Sequence, residues 1–178
     1  MKKEIFISVD VEASGPIPGE YSMLSLGACV VGDNSKTFYS EMKPISEKFI
    51  ASAVAVSGLS LEKLKESGAE PGAAMADFAK WIDGICGLEN RPVFVAFNAT
   101  FDWSFTNYYF HRFLGRNPFG ISGLDIKAYY MGMKKCSWGE TTKRKLDSEF
   151  KSNKPHTHNA LDDAIEQTEI FQKMMKKN

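Results

Sequence analysis

Ile5-Phe6-Ile7-Ser8-Val9-Asp10-Val11-Glu12-Ala13-Ser14-Gly15 opens as a run of β-branched and aromatic residues and closes on two acids and a turn. Over Ile5–Val11 that apolar density predicts a buried strand. Side chains alternate along a strand, so Asp10 and Glu12 leave one face while Val9 and Val11 leave the other. Downstream, Ser14-Gly15-Pro16-Ile17-Pro18-Gly19 is a turn-rich loop, and Met23–Val31 and Lys36–Met42 read as two further strands divided by Gly32-Asp33-Asn34-Ser35. Connections this short leave no room for crossover helices, so the three strands are expected as an antiparallel meander.

Beyond Pro44 the periodicity changes. Helices are predicted over Ser46–Val56 and Ser60–Glu66, and over Pro71–Ile85, where Ala74, Phe78, Trp81, Ile82 and Ile85 recur three and four residues apart. Pro92–Phe97 and Leu124–Ile126 read as short strands. Phe101–Leu114, Lys127–Met133 and Asn159–Lys176 read as helices. A meander followed by alternating helices and strands implies an α/β fold, with a mixed five-stranded sheet flanked by helices.

A length of 178 residues suits one domain spanning residues 1–178, and 43% hydrophobic with 25% charged residues excludes a disordered or collagen-like chain. No apolar run reaches the roughly 18 residues of a membrane span, so no membrane partner is expected. Glu4 and Asp10 interrupt the opening apolar stretch, which is too short for a signal peptide. Cys29, Cys86 and Cys136 are odd in number and far apart, which argues against disulfides and a cysteine zinc site and makes a reducing cytoplasm the default. With 22 basic and 22 acidic residues, any nucleic-acid binding must rest on a local patch.

Three clusters carry chemistry. Asp10 and Glu12 share a strand face; such a pair fits a solvated strand end as well as a divalent cation with oxygen ligands. Asp102 lies among aromatics just past the fourth strand, as a first-turn anion of a helix or as a ligand beyond a strand end. The segment His156-Thr157-His158-Asn159-Ala160-Leu161-Asp162-Asp163 precedes and opens the last helix, where acids also satisfy the helix dipole. Separately, none of the three decides the function.

Together and in this order, Asp10-Val11-Glu12-Ala13-Ser14-Gly15, Asn98-Ala99-Thr100-Phe101-Asp102 and His158-Asn159-Ala160-Leu161-Asp162-Asp163 resemble the DEDDh family of 3′-to-5′ exonucleases. The likeness runs from about Ile5 to Phe171 and is greatest to ribonuclease T-type members. It implies a ribonuclease H-like fold and hydrolysis of single-stranded 3′ ends of DNA or RNA. It further implies Asp10, Glu12, Asp102 and Asp163 as ligands of two divalent ions, Mg²⁺ or Mn²⁺, with His158 as general base. The family's spacing selects His158 over His156 and Asp163 over Asp162. It also places Ala13, Ser14, Pro16 and Phe101 at the terminal nucleotide, with Phe101 stacking on its base. The sequence departs from common family residues at Ala13-Ser14, Pro16 and Phe97, which bears on nucleotide contacts and leaves all five catalytic positions intact.

Two divalent ions about 3.5–4 Å apart can neutralise a phosphodiester at its attacking and leaving oxygens, and all-oxygen ligation suits Mg²⁺ or Mn²⁺ better than zinc. A histidine titrates near neutrality and can take the proton of the attacking water. Lys134, Lys135, Lys143, Arg144, Lys145, Lys151 and Lys154 outnumber the acids around them, as a phosphate-binding patch or a solvated face. Trp103 and Phe105 are expected in the core. An oligoribonuclease-like enzyme acting on very short RNA and a catalytically inactive binding module of the same fold are the alternative readings, as are homo-oligomer formation or association with a polymerase among the partners.

Overall fold

A computed structural model describes residues 2–152 and 157–177. Strands β1 (Lys3–Ala13), β2 (Met23–Val30) and β3 (Asp33–Glu41) form the expected antiparallel meander, and β4 (Asn90–Ala96) and β5 (Gly123–Asp125) extend it in parallel to β1. The order β3-β2-β1-β4-β5 makes β1 the central strand. Its carboxyl end is therefore where the sheet changes from antiparallel to parallel pairing, the kind of place where open α/β sheets hold ligands.

Alternation along β1 sorts the two faces. Ile7, Val9 and Val11 join the core under helices α3 (Pro71–Cys86) and α4 (Ala99–Leu114), with Phe78, Phe105, Tyr109 and Phe110. Phe6, Ser8 and Asp10 face the opposite layer of α5 (Ile126–Lys134), α6 (Lys143–Phe150) and α7 (Ala160–Lys177): Phe6 packs edge-on to Phe171 at 5.6 Å, and Asp10 accepts a hydrogen bond from Gln167 of α7. Both faces of β2 are covered, and all eight of its residues are buried.

Two stretches differ from the sequence reading. Residues 46–50 are irregular, with a bend at Glu47, and α1 begins only at Ala51 (Ala51–Ser57), followed by α2 (Leu61–Ser67). The backbone of this stretch is engaged elsewhere: Ser22 Oγ accepts from the amides of Ile45 and Ser46, Ser14 Oγ donates to the Lys48 carbonyl, and the Ile50 amide donates to the Ser14 carbonyl. Those bonds replace the ones a helix would have made. The basic stretch, in turn, contains α6, which buries Leu146 and Phe150, four residues apart, on the α7 side of the sheet.

Gly27 sets how closely α7 approaches the sheet. It pairs with Asp10 across β1 and β2, and a Cβ there would stand 2.2–2.3 Å from backbone atoms of Ala160 and Leu161. No side-chain rotation relieves a clash with backbone, so the first turn of α7 seats at this depth only over glycine. Gly27→Ala is expected to destabilise by about 1–3 kcal/mol or more in urea unfolding. Gly84→Ala, at an exposed α3 position with open space around it, is expected to stabilise by up to about 1 kcal/mol. Equal effects of the two substitutions would refute the close-approach account.

Candidate active site

Four carboxylates and a histidine converge at the carboxyl end of β1. Asp10 and Glu12 project from the strand itself. Asp102, in the first turn of α4, is drawn in by a hydrogen bond from the Val11 amide to its Oδ1 at 3.0 Å, so the backbone between the first two acids holds the third. Asn98 turns the chain from β4 into α4 at a φ of 65°, and the Ala99 amide donates to Asp125 Oδ2 at 2.6 Å. The other oxygen of Asp125 accepts from Ala128 at the start of α5, so one carboxylate fixes two helix N-termini.

Asp163 arrives from the first turn of α7. Asn159 Oδ1 accepts from the Leu161 and Asp162 amides, capping the helix, and Thr157 N donates to Asp163 Oδ1 at 3.1 Å. Asp163 is buried and turned inward, whereas Asp162 is half-buried and accepts from the Thr157 hydroxyl. His158 is exposed in the left-handed region, with a φ of 56°. Ligand atoms of Glu12, His158 and Asp163 all lie within 4.8 Å of one another, a grouping able to hold a metal ion. The competing His156 lies outside the described residues, as does Lys154.

Burial and crowding act in the same direction on Asp10, Glu12 and Asp102. The Asp10 carboxyl is pushed well above its usual range, first by burial and then by Asp102, Asp163 and Glu12. Glu12 is raised to about 7 by burial and by Asp163. Burial likewise raises Asp102, against the opposing hydrogen bond from Val11. A set of oxygen donors that resists ionisation unless a positive charge neutralises it fits hard divalent cations.

The sequence reading missed Gln167, one turn beyond Asp163 on α7. Its Nε2 donates to Asp10 Oδ1 at 2.7 Å and its Oε1 accepts from the Phe97 amide at 2.9 Å, so one buried amide joins α7, β1 and the end of β4. The available signal was helical: a residue four positions after Asp163 shares its face.

An apolar cavity of about 410 Å³ opens beside the carboxylates, lined by Ala13, Gly15, Pro16, Ile50, Ala53, Val56 and Phe101 among others. Ala13, Pro16 and Phe101, three of the four residues expected at a terminal nucleotide, thus line one cavity. Ser14 does not line it: the residue is buried, its hydroxyl accepts from Ser22 N and donates to the Lys48 carbonyl, and it braces the loop behind the wall. Phe105 is fully buried, and Trp103 is half-buried, meeting Phe94 edge-on at 5.1 Å. Part of the basic stretch is committed within the protein, Lys134 to Glu149 and Lys143 to the buried Glu166 of α7.

A family model described as exonuclease, of the ribonuclease T type, matches residues 7–171. The chain belongs to the exonuclease family. This exonuclease-family chain is 54% identical over 169 residues to the 3′-5′ DNA exonuclease Cap18 of Escherichia coli, covering 95% of this chain and 90% of that one. In fold it is similar to the nuclease domain of 3′hExo, a DEDDh family member bound to rAMP, with a TM-score of 0.80 at 14% identity over 98% of this chain and 92% of that one. It also resembles Escherichia coli Exonuclease I in complex with a dA16 oligonucleotide, with a TM-score of 0.69 at 17% identity over 99% of this chain and 41% of that one. The expected ribonuclease H-like arrangement of sheet and helices agrees with these structures.

Two outcomes follow from the geometry. Carboxyls raised in the folded state favour folding while protonated, and that contribution is lost as pH rises through their folded values. In chelator, the melting temperature should therefore fall between about pH 5 and pH 8, and Glu12→Gln should lessen the fall. A parent and a variant with the same slope would contradict the assignment. Gln167→Leu leaves the Phe97 amide without its acceptor and should cost about 1–3 kcal/mol in denaturant unfolding; a neutral substitution would show that the bridge does not matter to the fold.

Proposed function

We propose that the protein removes nucleotides one at a time from single-stranded 3′ ends, with Asp10, Glu12, Asp102 and Asp163 holding two divalent ions, Mg²⁺ or Mn²⁺, and His158 acting as general base. The observation that carries this reading is the convergence of four carboxylates and an exposed histidine beside an apolar cavity of nucleotide size. DNA is the favoured substrate, because the 54% identical relative is named a DNA exonuclease. When bound, the ions supply neutralisation of the phosphodiester's charge and acidify the attacking water.

The chain's own groups do the rest. Asp102 is held by the Val11 amide and Asp10 by Gln167, so two ligands are oriented before substrate arrives. His158 stands at solvent within reach of Glu12 and Asp163, where its imidazole can accept the proton of the attacking water. Phe101 offers a ring to the terminal base, and the aliphatic wall of Ile50, Ala53 and Val56 excludes water from the opposite side. That lining is almost wholly apolar, which suits any base.

Incubating 5′-labelled single-stranded DNA and RNA with the protein and Mg²⁺ or Mn²⁺ tests the reading. Products should shorten stepwise from the 3′ end, faster on DNA, and chelator should stop the reaction. His158→Ala should lower the rate by roughly 10²–10⁴. A folded His158→Ala protein that keeps parental rates would remove the base from the mechanism. Cleavage from the 5′ end would overturn the function as a whole.

A further inference from the structure

Trp138 is the most exposed tryptophan, 51% accessible, yet its backbone is firmly fixed. It opens a short 3-10 turn (Trp138–Glu140) closed by a capping box, in which Glu140 Oε2 accepts from Ser137 N and Ser137 Oγ. The buried Thr141 hydroxyl then donates to the Trp138 carbonyl at 2.7 Å. Lys127, in the first turn of α5, places its ammonium 4.2 Å from the Trp138 ring centre and 5.9 Å from that of Phe97. Among the described residues no carboxylate pairs with Lys127. A half-buried cation held between two rings, without an anion of its own, is an open electrostatic position.

Its place in the fold gives that position a meaning. Phe97 follows directly on the last residue of β4, and Asp10 lies on the neighbouring strand β1. Gln167 bonds to both residues. The apolar cavity is lined from α1, α4 and the loop after β1, whereas the Lys127 ammonium gathers Phe97 and Trp138 at the end of β4 and the start of α5. The two groups sit on different elements and differ in chemistry, one apolar as a terminal base requires and the other an aromatic face with a cation as an upstream strand requires.

We propose that Trp138, Lys127 and Phe97 form a platform for the single strand on the 5′ side of the scissile phosphate, with Trp138 stacking on an upstream base and the Lys127 ammonium contacting an upstream phosphate. This rests on the exonuclease reading above. An aromatic face beside a cation is a sequence-tolerant device for gripping a single strand, because every base has a π-face and every linkage a charge. One ring face of Trp138 carries the ammonium, and its exposure leaves surface for a base.

The experiment compares KM for the p-nitrophenyl ester of thymidine 5′-monophosphate, which has no upstream nucleotide, with KM for di-, tetra- and hexathymidylate. In the parent, KM falls as nucleotides are added. In Trp138→Ala that fall shrinks by roughly 5- to 150-fold, the range that stacking one base represents, and Trp138→Phe restores most of it. Lys127→Gln flattens the salt dependence of strand binding by about 0.7 log units per log salt. Separately, hexathymidylate with Ca²⁺ in place of Mg²⁺ quenches tryptophan emission in the parent and not in Trp138→Phe, although that variant still binds. A Trp138→Ala protein with the parental length dependence, or quenching that survives Trp138→Phe, overturns the platform. If the parent cleaves neither ester nor oligonucleotides, the exonuclease reading fails, and the quenching measurement still decides for or against the platform.

Discussion

Repulsion among carboxylates is the constraint around which this protein is organised. Glu12 and Asp163 bring ligand atoms within 4.8 Å, and two unit charges that close repel by roughly 3–4 kcal/mol at an effective dielectric of about 20. A folded domain has only about 5–15 kcal/mol of net stability. The acids therefore stay together because three of the four are fixed by groups outside the set: Asp102 by the Val11 amide, Asp10 by Gln167 and Asp163 by the Thr157 amide, while the start of α7 is held by its seat over Gly27. A scaffold that tolerates this tension when empty is well matched to a cationic occupant.

How much of this could be read from the residues depends on how local the cause is. The apolar run of β1, the short turns of the meander and the three-and-four spacing of α3 act over a few positions, and the predicted elements appear with ends shifted by a few residues. The three acidic motifs were legible because order and spacing along the chain carry them. What escaped depends on partners far apart in sequence. Residues 46–50 looked helical because nothing nearby showed that Ser14 and Ser22 would take their backbone groups. Gln167 is an unremarkable helix residue until the fold sets it against Asp10, 157 positions away. The helix α6 was hidden by the charges around Leu146 and Phe150, and the Ser14 hydroxyl finds its partners at Ser22 and at Lys48, 34 positions on.

The basic stretch shows the same lesson in reverse. By sequence, Lys134 and Lys143 looked available to phosphates. In the fold one meets Glu149 and the other the buried Glu166, a partner that could not be left alone at low dielectric. Lys127, which pairs with no carboxylate among the described residues and instead meets the rings of Trp138 and Phe97, belongs to no charge run. Its position is set by Asp125 at the end of β5, whose carboxylate caps α5 and fixes the first turn that carries Lys127.

Helix α1 buries none of its residues and supplies one side of the apolar cavity, tied back to the β1 loop through the Ile50 amide and the Ser14 carbonyl. A wall with so little packing has a low free energy of local opening. Its backbone amides should thus exchange with solvent far sooner than those of β2, and slow once a nucleotide fills the space beside them. Part of the binding free energy is consumed in quieting that helix, which weakens the grip on any one nucleotide. On the proposed reading, in which each mononucleotide leaves before the strand advances, a loosely held wall makes release easy.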